Sequence, residues 1–348
     1  MTTIIGAGLS GLLTAFRLKA AGIPFRVVEA RARVGGRIHT VWSQDGTPVE
    51  MGATWFSNQH QHLKALLDEL EIDRFEQYME GTAFFQPFST SPAEAIQMPN
   101  QPPSYRISGG TSHLINTLHQ KMDESEVFLN QSVREICFGS HAVQVIAQEV
   151  FESSRVVLSL PPKLWAKNIL FEPPLPSNLV DTARQTQTWM EDSIKVALTY
   201  KEPFWQQENL SGTFFSNAGP ISELYDQSNH ERSKYALGGF VNASFQQLGI
   251  AERRMSVMQQ LKKVFGAKAA AFVDYEECVW SREESTFAAS DVALYPHQNN
   301  GNPVFRETYC NEKLLVSSAE SALAHPGYMD GAVSAANATA QKIIAASN

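Results

Sequence analysis

Residues 2–37 read TTIIGAGLSGLLTAFRLKAAGIPFRVVEARARVGGR, and this stretch decides the fold. The β-branched run Thr2–Ile5 is typical of a buried parallel strand, and it leads directly into a GxGxxG pattern at residues 6–11, GAGLSG. In that pattern the first glycine permits a tight turn, the second lets a pyrophosphate approach the backbone, and the third lets a helix pack closely on the strand. The apolar spacing that follows predicts this helix as far as Gly22, with its N-terminal amides facing the phosphates.

A second strand, Phe25–Val28, ends at an acidic residue, Glu29, which lies 18 residues after Gly11. A carboxylate at this place can accept hydrogen bonds from ribose hydroxyls, and it favours an unphosphorylated ribose. A lone GxGxxG also occurs as a simple tight turn. Strand, helix, strand and acid in register together predict a dinucleotide-binding α/β unit. Its expected cofactor-binding residues are Gly6, Gly8, Ser10, Gly11 and Glu29.

A second glycine turn at residues 33–37, RVGGR, follows Arg31. The arginines around it can meet phosphate oxygens, which favours FAD over NAD. The sequence EARARVGGR at residues 29–37 resembles the flavin-containing amine oxidase family, the group of monoamine and polyamine oxidases. The resemblance implies an α/β fold in which an FAD-binding Rossmann-like domain of the GR2 type carries an interleaved α+β substrate-binding domain. It also places Arg31 and Arg37 among the FAD contacts.

Further segments resemble this family over the whole length of the chain. Residues 48–55, PVEMGATW, are similar to a family segment, DLGGxW, whose backbone lies against the flavin, although Ala53 here replaces a glycine. Val133 matches a valine that contacts adenine through its backbone, and it ends a predicted strand that begins at Val127. Residues 314–320 and 327–333 resemble two closing motifs, AGTE and GYMEGAV. The resemblance implies further cofactor contacts from Gly52, Ala53, Thr54, Val133, Trp280, Glu320, Met329, Ala332 and Val333.

Two residues are candidates for the chemistry. Lys195 lies in an apolar alternating run ahead of YKEPFW at residues 200–205, and it matches the family lysine that holds a water near flavin N5. The alternative interpretation is an outward-facing strand lysine. Tyr328 matches one wall of an aromatic cage around the amine, but Ser290 stands where the second aromatic residue is expected, and Asp291 follows it. This departure points either to a substrate other than a simple aromatic monoamine or to weak activity.

The position at which some family members carry a flavin-linking cysteine is Ala289, so the resemblance implies FAD that is bound noncovalently. The flavin carries the redox step. Neither a GxSxG nor an HExxH pattern occurs, and no metal site is predicted. The FAD-binding domain is expected to be discontinuous, with residues 1–74, 105–172 and 276–348. The substrate-binding domain is expected at residues 75–104 and 173–275.

The composition limits the cellular location and the binding partners that can be expected. The net charge of −8 and the pI near 5.6, with no basic run, disfavour nucleic acid. Three cysteines without a CxxC pattern favour a reducing cytoplasm over a disulfide framework. The first strand begins too early for a signal peptide, and no apolar run approaches the ~20 residues that span a bilayer, so no membrane partner is predicted. The oligomeric state is left open.

Together these features predict an FAD-dependent amine oxidase whose partners are a small-molecule amine and O₂. Hydride would pass from the carbon next to the nitrogen to flavin N5, and reoxidation by O₂ would give H₂O₂. Two alternatives stay open at this point. One is an FAD-dependent desaturase or porphyrinogen-type oxidase with a non-amine substrate, which Lys195 and Tyr328 disfavour. The other is a catalytically weak FAD-containing interaction protein, which the missing second aromatic residue motivates.

Overall fold

The structure is a computed structural model that describes residues 1–289 and 293–347. Its helices, in chain order, are α1 (Leu9–Ala20), α2 (Gln61–Glu69), α3 (Ser112–His119), α4 (Pro162–Asn168), α5 (Ser177–Arg184), α6 (Phe204–Gln207), α7 (Ile250–Phe265) and α8 (Met329–Ala345). Its strands are β1 (Thr2–Ile5), β2 (Phe25–Val28), β3 (Thr40–Trp42), β4 (Pro48–Glu50), β5 (Phe56–Ser57), β6 (Arg74–Glu76), β7 (Thr82–Gln86), β8 (Glu94–Ile96), β9 (Ser104–Ile107), β10 (Val127–Phe128), β11 (Glu135–Phe138), β12 (Val143–Ile146), β13 (Val150–Ser153), β14 (Arg155–Leu158), β15 (Leu170–Glu172), β16 (Ile194–Tyr200), β17 (Leu210–Ser216), β18 (Ile221–Asp226), β19 (Tyr235–Val241), β20 (Asp274–Val279), β21 (Thr308–Tyr309) and β22 (Leu314–Val316).

A six-stranded sheet in the order β10-β2-β1-β14-β22-β21 is the centre of the nucleotide-binding part. Its pairs are parallel except for the edge pair of β21 and β22. Ile4 on β1 lies between Val27 and Val157, and all three side chains are buried. Apolar runs of this kind are expected when helices or a second sheet cover both faces. The sheet therefore draws its strands from the beginning, the middle and the end of the chain.

Two apolar cores cover the two faces of this sheet. On one side α1, α2, α3 and α8 supply a core that joins Leu12 and Leu63 to Val333 and Ile343. On the other side the core is formed with a four-stranded sheet, β13-β12-β11-β15, and with residues of α4 and α5 such as Trp165. The first and last helices of the chain thus share one core, because both pack on the same face.

A seven-stranded sheet, in the order β20-β16-β19-β18-β17-β7-β8, forms the second main body of the fold. Helix α7 packs on one face of it through Val257, Leu261 and Phe265. On the opposite face, Ala197 and Ala236 meet Val49 and Met51 of the nucleotide-binding part. Small side chains on the sheet permit this close approach, which brings the strand that carries Lys195 next to the segment at residues 48–55.

The α/β architecture that the sequence predicts is confirmed, and the structure differs from two local expectations. The strand expected from Val127 to Val133 ends at Phe128, because Asn130 adopts a left-handed conformation and the chain turns there, with Gln131 N bonded to Glu29 O. The domain boundary expected after residue 275 falls inside β20, which pairs with β16. The division into domains stays a prediction, and this pairing favours a boundary beyond residue 279.

Candidate active site

The glycine turn between β1 and α1 has the geometry of a phosphate cradle. Gly6 has a φ of +103°, which favours glycine, and a Cβ on Gly11 would lie 1.9 Å from Gly6 O. A Cβ on Gly8 would instead meet only Gly35 O, at 4.0 Å. Gly6 and Gly11 are therefore required by the fold itself, whereas Gly8 leaves open space. The Ser10 hydroxyl donates to Ser317 O at 2.5 Å and ties this turn to the end of β22.

Glu29 lies at the end of β2 with both carboxylate oxygens engaged by backbone amides. One accepts from Ala7 N at 2.8 Å and the other from Arg31 N at 2.9 Å. The Arg31 side chain donates to Thr286 at 2.7 Å and to Glu283 at 3.1 Å. Arg31 thus anchors residues 283–286, a segment that lies 252 to 255 positions later in the chain.

The second glycine turn packs against the first. Gly35 and Gly36 both have positive φ, and Gly35 N donates to Ala7 O at 2.8 Å. Beyond them, Arg37 makes a two-pronged ion pair with Glu320, at 2.6 and 3.1 Å. The Glu320 side chain has no exposed surface, so its charge is balanced by Arg37. An ion pair therefore joins residues from the two ends of the chain.

These elements surround a cavity of about 310 Å³. The predicted site residues that line it are Gly6, Gly8, Ser10, Glu29, Arg31, Arg37, Ala53, Val133, Tyr328, Met329 and Ala332. The others do not line the cavity. Gly11, Gly52, Thr54, Glu320 and Val333 are each next to a lining residue in sequence, and Lys195 and Trp280 are bonded to Thr54 and Met51. Trp280 is fully buried and donates from its indole to Met51 O at 2.7 Å. It supports the segment at residues 51–54.

Lys195 is fully buried on β16, against the alternative of an outward-facing lysine. Its ammonium donates to Thr54 Oγ1 at 3.0 Å and lies 4.7 Å from the Trp55 ring centroid and 4.5 Å from that of Phe240. Burial lowers the pKa of Lys195 to about 8, against the opposing charge of Glu50. A lysine with this pKa can exchange its proton closer to neutral pH than an ordinary lysine does.

Tyr328 lies at the N-terminus of α8 within a group of rings. Its ring centroid is 5.8 Å from Trp189, 5.8 Å from His297 and 5.6 Å from His60. Trp189 lines the cavity with Tyr328. The expected second aromatic position, Ser290, and its neighbour Asp291 lie outside the described residues. Sequence reasoning missed Trp189 and His297, because no motif links these positions to Tyr328.

The cavity carries features that fit a bound dinucleotide. The open space at Gly8 faces the turn where a pyrophosphate would approach. The Glu29 oxygens keep free lone pairs, which can accept from ribose hydroxyls. Ser159 and Trp165 line the same cavity with a buried hydroxyl and a buried indole N–H that have no partner among the described residues. Such atoms are rare in proteins and need a partner.

Comparisons with known proteins agree with this geometry. The family model for flavin containing amine oxidoreductase matches residues 9–106 and 85–344. Putrescine oxidase from Kocuria rosea is 27% identical, with 82% of this chain and 83% of that protein covered. The human flavin-containing amine oxidase B is 22% identical, with 98% of this chain and 85% of that protein covered.

Solved structures share the fold of this chain. A structure of wild-type putrescine oxidase bound to putrescine has a TM-score of 0.85 and 25% identity, and covers 99% of this chain and 98% of that chain. Cyclohexylamine oxidase from Brevibacterium oxydans has the same TM-score and the same coverage at 18% identity. This likeness supports only the fold. The fold and the cavity define an FAD-dependent oxidoreductase. The chain belongs to the flavin containing amine oxidoreductase family.

Within residues 1–289 and 293–347, no helix combines the length and the apolar character needed to cross a membrane. The same residues contain no group of three or more His, Cys, Asp or Glu side chains that could hold a metal ion. The cytoplasmic location stays a prediction.

Proposed function

We propose that this protein oxidises a primary amine to an aldehyde, with release of ammonia and H₂O₂. When bound, FAD supplies the chemistry by accepting a hydride from the carbon next to the nitrogen and passing the two electrons to O₂. One amine, one O₂ and one water then give one aldehyde, one ammonia and one H₂O₂. The observation that carries the proposal is the fully buried Lys195, bonded to Thr54 beside the cavity wall at Ala53.

The residues that would hold FAD follow from the cavity. Gly6, Gly8 and Ser10 would present the start of α1 to the pyrophosphate, and Glu29 would accept from the adenosine ribose. Val133 would contact adenine through its backbone. Ala53, Met329 and Ala332 would line the flavin end, with Arg37 held in place by Glu320. Ala289 offers no thiol, which supports noncovalent binding.

Lys195 would orient a water molecule near the reacting atoms. Its ammonium has three donors, of which the bond to Thr54 uses one. The rings of Trp55 and Phe240 stabilise the charged form of this ammonium. With a pKa of about 8, the lysine can hold or release a proton during imine hydrolysis or flavin reoxidation.

The sheet register suggests which amine is bound. Lys195 on β16 pairs with Phe240 on β19, and Phe240 pairs with Glu223 on β18. Opposite residues in neighbouring strands lie on the same face, about 5 Å apart. Glu223 therefore lies on the same face as Lys195, two strands and about 10 Å away. This residue is exposed, and one oxygen of its carboxylate accepts from the Tyr225 hydroxyl at 2.9 Å, which leaves the other oxygen available. A second ammonium group on the substrate would find its counter-charge there, so we propose an aliphatic diamine.

The likeness to putrescine oxidase supports the same substrate class. The test of the function is anaerobic mixing of the purified yellow protein with primary amines, secondary amines and polyamines, while the flavin absorbance is followed. We expect bleaching by putrescine at lower concentration than by butylamine. Bleaching by a non-amine alone would favour the desaturase or porphyrinogen-type alternative, and an absence of bleaching would favour the interaction protein.

Glu223→Gln tests the diamine assignment. Because the variant removes only a charge, we expect the concentration of putrescine that gives half-maximal flavin reduction to rise by roughly tenfold or more, as for a lost charged hydrogen bond. The value for butylamine should stay within about twofold. The matched control is Glu94→Gln, since Glu94 is an exposed carboxylate in the same row of residues, at the far edge on β8. Equal losses for both amines would contradict the assignment.

A further inference from the structure

The turn that precedes β16 forms part of the cavity wall. Trp189 and Met190 both line the cavity, and Met190 has a φ of +73°. Residues other than glycine rarely adopt this backbone conformation, which costs on the order of 1–3 kcal/mol. The turn is closed by Glu191 N, which donates to Thr188 O at 3.2 Å, and by Ser193 N, which donates to Met190 O at 3.0 Å. The chain thus turns tightly where Trp189 and Met190 form the wall.

Trp189 forms a continuous aromatic surface with Tyr328. The two ring centroids are 5.8 Å apart with planes inclined by 32°, and His297 stacks on Trp189 at 5.0 Å. Trp189 remains 38% exposed and Tyr328 37% exposed. Two large rings that share a cavity wall and keep a third of their surface open form a ready binding surface.

Contacts on two sides fix the position of Trp189. Glu191 forms a buried ion pair with Lys163 on α4, whose neighbours Leu164 and Trp165 also line the cavity. On the other side, the loop that carries His297 is docked by Gln187. Gln187 N donates to Gln298 O at 3.1 Å, and His297 N donates to the Gln187 side chain at 3.1 Å.

We propose that Trp189 is a substrate-binding residue, whose indole forms with Tyr328 the aromatic surface that contacts the amine. This inference rests on the proposed function. A ligand held between two parallel rings needs a separation of about 7 Å, twice the ~3.5 Å contact distance. The Trp189 and Tyr328 rings are closer than this, so the amine lies against their open cavity side, where ring faces attract a cation. The aromatic residue expected at position 290 is thereby supplied from another segment.

The experiment compares Trp189→Leu with Trp189→Phe, because both keep apolar bulk and only the second keeps a ring. The FAD content of each purified protein is measured first, and anaerobic flavin reduction is then titrated with putrescine and with benzylamine. We expect full FAD content in both variants. In Trp189→Leu the half-saturating amine concentration should rise roughly 5- to 10-fold, as for the loss of a ring contact, and in Trp189→Phe it should stay within about threefold. Trp42→Leu, at an exposed tryptophan on β3, is the matched control and should leave both values unchanged.

An unchanged half-saturating concentration in Trp189→Leu, with FAD retained, would overturn the inference and leave the proposed function intact. Loss of FAD from Trp189→Leu would also overturn it, because Trp189 would then be a cofactor contact. If wild-type protein were reduced by no amine, the proposed function would fail and the inference would fail with it. A reduced limiting rate of flavin reduction at an unchanged half-saturating concentration would assign Trp189 to positioning the flavin, which again contradicts substrate binding.

Discussion

Lys195 is the residue proposed to act in the chemistry. It has no exposed surface, and its ammonium bonds to Thr54 beside two aromatic faces. Lys195→Met keeps the length of the side chain and removes its charge and donors. We expect the variant to retain FAD and to turn over at least ~10-fold more slowly, in the range for loss of a positioned proton-handling group. Single-turnover reduction and reoxidation of the flavin measure this, and unchanged rates for both steps would exclude the role.

The same substitution changes how stability depends on pH. The pKa of Lys195 is lowered to about 8 in the folded protein, mainly by burial, from 10.5 as the ordinary value. Between these values the unfolded chain binds more protons than the folded one, so stability rises with pH in this window. We therefore expect Lys195→Met to be more stable, relative to wild type, at pH 7.5 than at pH 9.5, because only wild type gains stability from this lysine as the pH rises. Denaturant unfolding of both proteins at both pH values checks this. The same difference in stability at pH 7.5 and pH 9.5 would contradict the lowered pKa.

The turn from β1 to α1 is the element proposed to bind the phosphates, and its glycines have different roles. A Cβ on Gly8 would meet no protein atom closer than 4.0 Å, whereas one on Gly11 would overlap Gly6 O at 1.9 Å. Gly8→Ala should therefore leave the stability of the FAD-free protein within about 0.5 kcal/mol and weaken FAD binding at least tenfold. Gly11→Ala should instead destabilise the fold by roughly 1–3 kcal/mol. Thermal unfolding and FAD titration separate the two effects, and normal FAD binding by Gly8→Ala would refute the pyrophosphate assignment.

The whole molecule depends on contact between its two ends. Helix α8 shares a core with α1 and α2, and Glu320 binds Arg37. A chain that stops after Tyr328 exposes this core, and we expect it to yield no folded, FAD-containing protein. A fragment ending near residue 150 should fail for the same reason. The control is a chain that stops after Ala345, which loses only the end of the chain beyond α8 and should keep FAD. FAD retained by the shorter chain would disprove this dependence.

The sequence predicted those parts of the site whose geometry is local. The three glycines of residues 6–11, the acid at Glu29 and the glycine turn at residues 35–36 each need a particular backbone conformation, and residue type reports that directly. Lys195 was assigned from its place in a strand and from a family pattern. Trp189, His297 and Glu223 were not predicted as site residues, because an aromatic ring or a carboxylate has no local signature that says what it faces.

By itself, then, the sequence determined the α/β fold and the dinucleotide turn, since these follow from periodicity and from glycines fixed by local sterics. It indicated the family through the resemblance of its motifs. Only the tertiary structure brought Arg37 to Glu320, aligned Lys195 with Phe240 and Glu223 across three strands, and placed Trp189 against Tyr328. The physical reason is that these contacts join segments separated by tens to hundreds of residues. Strand register and helix packing decide such contacts, and neither can be deduced from any short stretch of the chain.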